Sequence, residues 1–179
     1  PRTGDAAGRA RRLLASTLER LASGHDLVAY SDYAKGTLTD PAELVAIVRN
    51  AGARVLVDPK TPPFAGWRGA DLVKPNLAEF EAAVGVADGE VDFAARAATL
   101  CRRDGLGALL ITRGEAGMTL VRPGAETLHL PARSLDVFDV TGAGDTVAAT
   151  LAAQIAAGES LEAAVRVAGV AAGIAVALP

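Results

Sequence analysis

The chain has little cysteine, few aromatic residues and no block of charge of either sign, and each shortage removes a class of protein. One cysteine, Cys101, excludes an internal disulfide and fits a reducing, cytoplasmic setting. It falls in a helical pattern and reads as a buried, inert thiol. Aromatics make up 4% of the residues, too few for interleaved stacking platforms along a nucleic acid, and the net charge of −3 comes without a Lys/Arg stripe to meet phosphates. Neither nucleic acid nor membrane is expected as a partner. The longest apolar run, Val167 to Leu178, is too short and too alanine-rich to span a bilayer, and no signal peptide is recognisable. The two histidines, His25 and His129, have no second His or Cys at ligand spacing, so a metal site built on them is not expected.

What is present is Ala, Val and Leu in abundance, with half of the residues hydrophobic, as helices packed on a buried parallel sheet require. Apolar runs alternate with helical stretches. The spacing predicts helices over Arg9–Ala22, Pro41–Ala51, Leu77–Val84, Val91–Arg103, Ala143–Ala157 and Leu161–Ala177. Strands are predicted over Asp26–Ser31, Arg54–Asp58, Asp71–Lys74, Ala108–Thr112 and Leu135–Val140, with an antiparallel hairpin at a sheet edge from Met118–Arg122 and Thr127–Leu130. This βαβ order implies right-handed crossovers and a single α/β domain, a three-layer α/β/α, doubly wound, mainly parallel sheet. Ligands of such sheets sit beyond the carboxyl ends of the strands, so the loops there carry the functional candidates.

The most informative loop is DVTGAGDT, Asp139 to Thr146, at the mouth of an apolar helix. Free N–H groups at a helix start favour an anion, and Gly142 and Gly144 let a backbone approach it without Cβ atoms. Asp145 is either an acid in a helix first turn or the acceptor of a proton from a hydroxyl attacking a bound phosphate. A Rossmann fingerprint is disfavoured, since the third glycine and a later acidic residue are missing, and a P-loop is disfavoured because no Lys-Ser/Thr follows the glycines. Asn76 and Glu79 have the spacing of a capping box. Asp32, Tyr33 and Lys35 follow the first strand, and Asp58 and Lys60 the second, with Lys60 suited to a phosphate and Asp58 able to orient that lysine. Trp67 reads as a packing anchor.

DVTGAGDT resembles the signature of the ribokinase-like (PfkB) carbohydrate kinases. SDYAKG (Ser31 to Gly36), VDPK (Val57 to Lys60) and WRGADLVKPNLAEFEAAVG (Trp67 to Gly85) are similar, in order and spacing, to the bacterial heptose 7-phosphate kinases. The resemblance implies ATP and Mg²⁺ as cofactors, with Asp145 as catalytic base and Gly142, Ala143 and Gly144 as the anion hole. It implies that Asn76 and Glu79 organise Mg²⁺ and phosphates through water, and that Thr112, Arg113, Gly114 and Gly117 lie against the nucleotide. Val137, Ala168 and Ala172 then flank the adenine, although small apolar residues are equally good helix packing. Asp32, Tyr33, Lys35, Asp58 and Lys60 face the sugar phosphate. The motif supports no phosphate contact for Lys74. Members of this family carry an N-terminal part with more of the sheet, a small β lid and the dimer interface. Its absence here leads to the expectation of the nucleotide-binding portion of a larger, homodimeric kinase, in some relatives fused to an adenylyltransferase. A non-catalytic nucleotide-binding module stays open.

Overall fold

The computed structural model describes residues 3–132 and 142–177. Six strands lie in the order of the chain: β1 (Leu27–Ser31), β2 (Arg54–Asp58), β3 (Leu72–Val73), β4 (Leu109–Thr112), β5 (Met118–Val121) and β6 (Leu128–Leu130). The first four are parallel, while β5 pairs antiparallel with β4 and β6 with β5. The predicted edge hairpin is therefore present. The β3 ladder reaches past both ends of the short strand, since Asp71 N–H donates to Val55 O at 2.9 Å and Lys74 N–H to Val57 O at 2.8 Å. The predicted Leu135–Val140 strand, with Val137, lies outside the described residues.

Alternation along the strands separates two apolar faces, as the two-residue period of a pleated strand requires. Val55, Val57, Val73, Leu109 and Ile111 pack with α2 (Pro41–Asn50), α3 (Leu77–Val84) and α4 (Gly89–Asp104). Leu56, Leu72, Leu110 and Leu120 pack with α5 (Ala143–Ala156) and α6 (Leu161–Ala177) on the other side. The result is the expected three layers. An additional helix, α1 (Thr3–Ala22), lays Leu14 and Leu18 against the first cluster. It begins upstream of Arg9, where the apolar spacing fades into Gly4 and Gly8 and carries no helical signal.

Local chemistry sets the helix ends. The Asp40 carboxylate accepts the Glu43 N–H at 3.3 Å with Pro41 in the first turn of α2, and Gly105 closes α4 in the left-handed region at φ 70°. Trp67 is 3% exposed and tilts against Tyr30 with ring centroids 5.5 Å apart, the packing role expected of it. Cys101 is fully buried, which pushes its thiol up to about 12 and keeps it unreactive.

Burial likewise pushes the Tyr30 phenol up to about 12, while its O–H donates to Leu44 O at 2.9 Å. Above its ordinary value of about 10 the unfolded chain releases this proton and the folded chain keeps it. Tyr30 thus gives its full contribution below that pH and loses it as the pH rises towards about 12. Urea melts at pH 8.5 and 11 are expected to show a drop in stability that is smaller in Tyr30→Phe than in the wild type. Equal drops would remove Tyr30 as a cause.

Candidate active site

The carboxyl ends of β1 to β4 and the start of α5 enclose one hollow of about 170 Å³, lined by Ser31, Asp32, Tyr33, Asp58, Pro59, Lys60, Lys74, Asn76, Glu79, Thr112, Gly144 and Asp145. Residues far apart in the chain meet there because parallel strands deliver their following loops to one edge. Its volume suits phosphoryl groups rather than a whole nucleotide.

Gly142 caps α5 with φ 78°, a backbone region that glycine enters without strain, and no side chain caps this helix among the described residues. The first bond within the helix is from Thr146 N–H to Gly142 O at 2.8 Å. The N–H groups of Ala143, Gly144 and Asp145 therefore remain for an external acceptor, reinforced by the helix dipole. A Cβ on Gly144 would stand 3.8 Å from Lys74 Nζ. Asp145, at the third helical position, is exposed and does not cap the helix, which favours the chemical reading of this residue over the capping one. The Tyr33 hydroxyl approaches Asp145 Oδ1 at 3.5 Å, a long contact.

Asp58 and Lys74 form a pair at 2.9 Å, with side chains 21% and 4% exposed. Burial pushes the Asp58 carboxyl upward, the Lys74 ammonium opposes this, and the negative charge of Asp145 adds to the rise. Asp58 thus orients Lys74, whereas the sequence paired it with Lys60. Asp32 is partly committed to its own loop, accepting the Ala34 N–H at 2.8 Å, and its N–H donates to Asp58 O at 2.9 Å.

Asn76 and Glu79 form the capping box reciprocally: Asn76 Oδ1 accepts Glu79 N–H at 2.8 Å and Glu79 Oε2 accepts Asn76 N–H at 2.8 Å. This does not exhaust them. Glu79 Oε1 and the Asn76 amide remain at the hollow, a sparse hard-oxygen set that fits Mg²⁺ carried largely on water and phosphate oxygens. Among the described residues no three His, Cys, Asp or Glu side chains converge into a metal cage. Thr112 is held beside Asn76 by a parallel bridge, its N–H donating to Pro75 O at 3.1 Å.

Several expected contacts do not join the hollow. Arg113 is committed elsewhere: its guanidinium grips the Glu90 carboxylate at 2.6 and 2.8 Å, donates to Thr119 Oγ1 at 3.2 Å and lies 4.4 Å over the Phe93 ring. It anchors the loop after β4 to α4 instead of clamping a nucleotide. Gly114, at φ 58°, has open space around it, but Gly117 is pressed against the chain leaving β6. Ala168 is fully buried between α6 and the sheet, and Ala172 packs beside it, so both serve helix packing. Lys35 is exposed and is not part of the lining. Conversely, Ser31 lines the hollow without having been singled out, and Lys74 lines it although the motif supported no contact for it. The signal for Lys74 was a lone charge ending an apolar strand of a parallel sheet. A larger hollow of about 490 Å³ near Pro62, Pro63 and α3 holds only one carboxylate, Asp104, which Arg103 already pairs at 2.7 Å.

The chain is similar to known proteins in sequence and in fold. The "Bifunctional protein HldE" of Azotobacter vinelandii is 55% identical over 163 residues, which is 91% of this chain and 34% of that protein. Its namesake in Alcanivorax borkumensis is 56% identical over 82% of this chain and 31% of its own length. The chain thus spans about a third of the length of these curated relatives. Among solved structures, Arabidopsis thaliana ribokinase complexed with ribose and ATP superposes with a TM-score of 0.78 at 23% identity, covering 89% of this chain and 52% of that one. Phosphofructokinase-2 from Escherichia coli in complex with substrates and products gives 0.78 at 21% identity, over 92% and 55%. These two likenesses concern the fold. Residues 15–178 match the description "pfkB family carbohydrate kinase", and the chain belongs to that family.

Proposed function

We propose that this chain is the nucleotide-binding portion of a kinase that transfers the γ-phosphoryl group of ATP to the anomeric hydroxyl of D-glycero-D-manno-heptose 7-phosphate, giving a 1,7-bisphosphate for ADP-heptose and lipopolysaccharide core synthesis. The observation that carries it is the meeting of Asp145 and the open first turn of α5 with Asn76, Glu79, Thr112, Asp58 and Lys74 in one hollow. The likeness of 52–56% to HldE proteins supports the acceptor.

In this reading Asp145 accepts the proton of the attacking hydroxyl as the new bond to phosphorus forms. The N–H groups of Ala143, Gly144 and Asp145 hold the equatorial oxygens, a preorganised stabilisation that needs no rearrangement during transfer. Asn76 and Glu79 would hold Mg²⁺ through water, and its chemistry there would be to neutralise phosphoryl charge. Thr112 and Gly114 line the path of the nucleotide, while Asp32, Tyr33 and Lys60 meet the sugar phosphate. The described residues form a single unit of a larger domain, whose other part supplies further sugar contacts and a homodimer interface. The reaction takes place in the cytoplasm.

ADP release by the full-length enzyme, measured over a panel of acceptors with Mg²⁺ and ATP, tests the assignment. The heptose 7-phosphate is expected to exceed fructose 6-phosphate and ribose in kcat/KM by at least about 10²-fold, the scale on which a site built for polar groups rejects an acceptor that leaves them unpaired. A higher value for another sugar or a nucleoside would reassign the acceptor within the same family.

A further inference from the structure

We propose that Glu90 and Arg113 are positioning residues for the nucleotide: their ion pair latches the turn after β4 to the start of α4 and so fixes the Thr112 side of the hollow, although neither side chain lines it. The proposal rests on the kinase reading and deepens it, since it makes nucleotide affinity depend on a carboxylate that lies outside the hollow.

Arg113 follows Thr112, which ends β4 and lines the hollow. Its backbone closes the turn, with Arg113 N–H donating to Gly117 O at 2.7 Å and Ala116 N–H donating to Arg113 O at 3.1 Å. The direction in which the Arg113 side chain leaves therefore decides how the turn over Gly114–Ala116 is aimed. It leaves towards α4. Two guanidinium nitrogens meet the two Glu90 carboxylate oxygens at 2.6 and 2.8 Å, the paired fork that fixes direction as well as distance. These hydrogen bonds hold the Glu90 carboxyl below its usual range, so both partners are charged at neutral pH.

The same guanidinium reaches two further strands and a second helix. It donates to Thr119 Oγ1 on β5 at 3.2 Å, and Thr119 Oγ1 meets His129 Nδ1 on β6 at 3.0 Å. It lies 4.4 Å over the Phe93 ring, and Phe93 packs on Phe80 of α3 with ring centroids 4.8 Å apart. Asn76 and Glu79 stand at the start of α3, and Thr112 is bridged to Asn76. By both routes the latch ends at the same wall of the hollow.

A guanidinium whose side chain is 13% exposed is a costly cover for Phe93, where an aliphatic side chain would need no charged partner. Its Nε is buried without a hydrogen-bond partner among the described residues, a further cost that packing does not offset. What the charge adds is orientation, because a planar fork holds the turn at one angle to α4. Glu90, by contrast, has a side chain 67% exposed. It contributes little to the global fold, so it can be changed without opening the core.

The test uses the full-length protein, with calorimetric titration of ATP and steady-state kinetics in both substrates. Glu90→Gln is expected to weaken ATP and raise its KM about fivefold, a shift of the size carried by residues that act without touching a ligand. Its kcat and its KM for the sugar phosphate are expected to stay within about twofold, and its urea midpoint to be nearly unchanged. Glu90→Asp, which keeps the carboxylate, is expected to lie between Glu90→Gln and the wild type. Arg113→Met, which keeps a cover over Phe93, is expected to weaken ATP about tenfold, and the double variant no more than Arg113→Met alone, the signature of groups acting together. A fall in kcat with both KM values unchanged is what a smaller folded fraction produces, and it would overturn the proposal. Unchanged ATP affinity in Glu90→Gln, or additive losses in the double variant, would overturn it too. If Arg113→Met fails to fold by circular dichroism, the two Glu90 variants decide it: a graded loss confined to ATP supports the latch, and no selective loss overturns it. Wild-type binding of ATP tests the kinase reading and the ratio of variant to wild type tests the pair, so the two fail separately. A wild type that binds ATP but leaves the heptose unphosphorylated would sink the acceptor assignment and leave this comparison standing.

Discussion

Asp145→Asn in the full-length enzyme is expected to bind ATP with near wild-type affinity and to lose nearly all turnover, a fall on the order of 10²–10⁴-fold for the loss of a general base. The side chain is exposed at the third position of α5 and makes no capping bond, so its replacement removes nothing that holds the helix. Asn keeps the shape and can still accept a hydrogen bond, but it cannot take up a proton at neutral pH. The backbone donors of Ala143 and Gly144 are unchanged, which is why binding survives. Paired titration calorimetry and single-turnover kinetics separate the two effects. Near-normal turnover would remove Asp145 from the chemistry, and lost affinity with unchanged turnover would make it a binding residue.

Gly117→Ala is expected to destabilise the fold by about 2–5 kcal/mol, the sum of backbone strain of about 1–2 and overpacking of about 1–3. Gly117 has φ 85° and ψ −132°, a combination that only glycine reaches readily. A Cβ there would stand 2.0 Å from Leu130 O and 2.5 Å from Ala132 N. Those are backbone atoms of the chain leaving β6, fixed by the pairing of Met118 with Leu130, so they cannot yield as a flexible side chain would. The same residue would be expected to matter mainly for nucleotide affinity if it were a contact of the loop after β4. Chemical denaturation of Gly117→Ala distinguishes the two, since an unchanged midpoint with weakened ATP binding would return Gly117 to the nucleotide.

Much of this was legible in the sequence because the signals were local. Asp40-Pro41 opens α2, Asn76 and Glu79 cap α3, and Arg122-Pro123-Gly124-Ala125 separates the hairpin strands, each through chemistry contained within a few residues. GAGD announced a glycine turn feeding a helix, and the structure places Asp145 at the hollow where Asp58, Asn76 and Thr112 also arrive. What could not be read was the direction in which a side chain leaves its loop. Arg113 stands next to Thr112, yet its guanidinium crosses to Glu90 and Phe93 on α4, a partner determined by tertiary packing. Ala168 lies on the helix face that turns to the core, which alanine composition does not reveal. Lys74 shows the converse: a charged residue ending a buried strand has to face a polar space, and the hollow is that space.

Phosphorus-31 NMR of the products formed by the full-length enzyme from ATP, Mg²⁺ and D-glycero-D-manno-heptose 7-phosphate tests the central claim most directly. The account predicts one new phosphate resonance coupled to the anomeric proton, an unchanged 7-phosphate signal, and conversion of ATP to ADP in equal amount. Inorganic phosphate as the only new species, or a phosphate attached at another carbon, would contradict it.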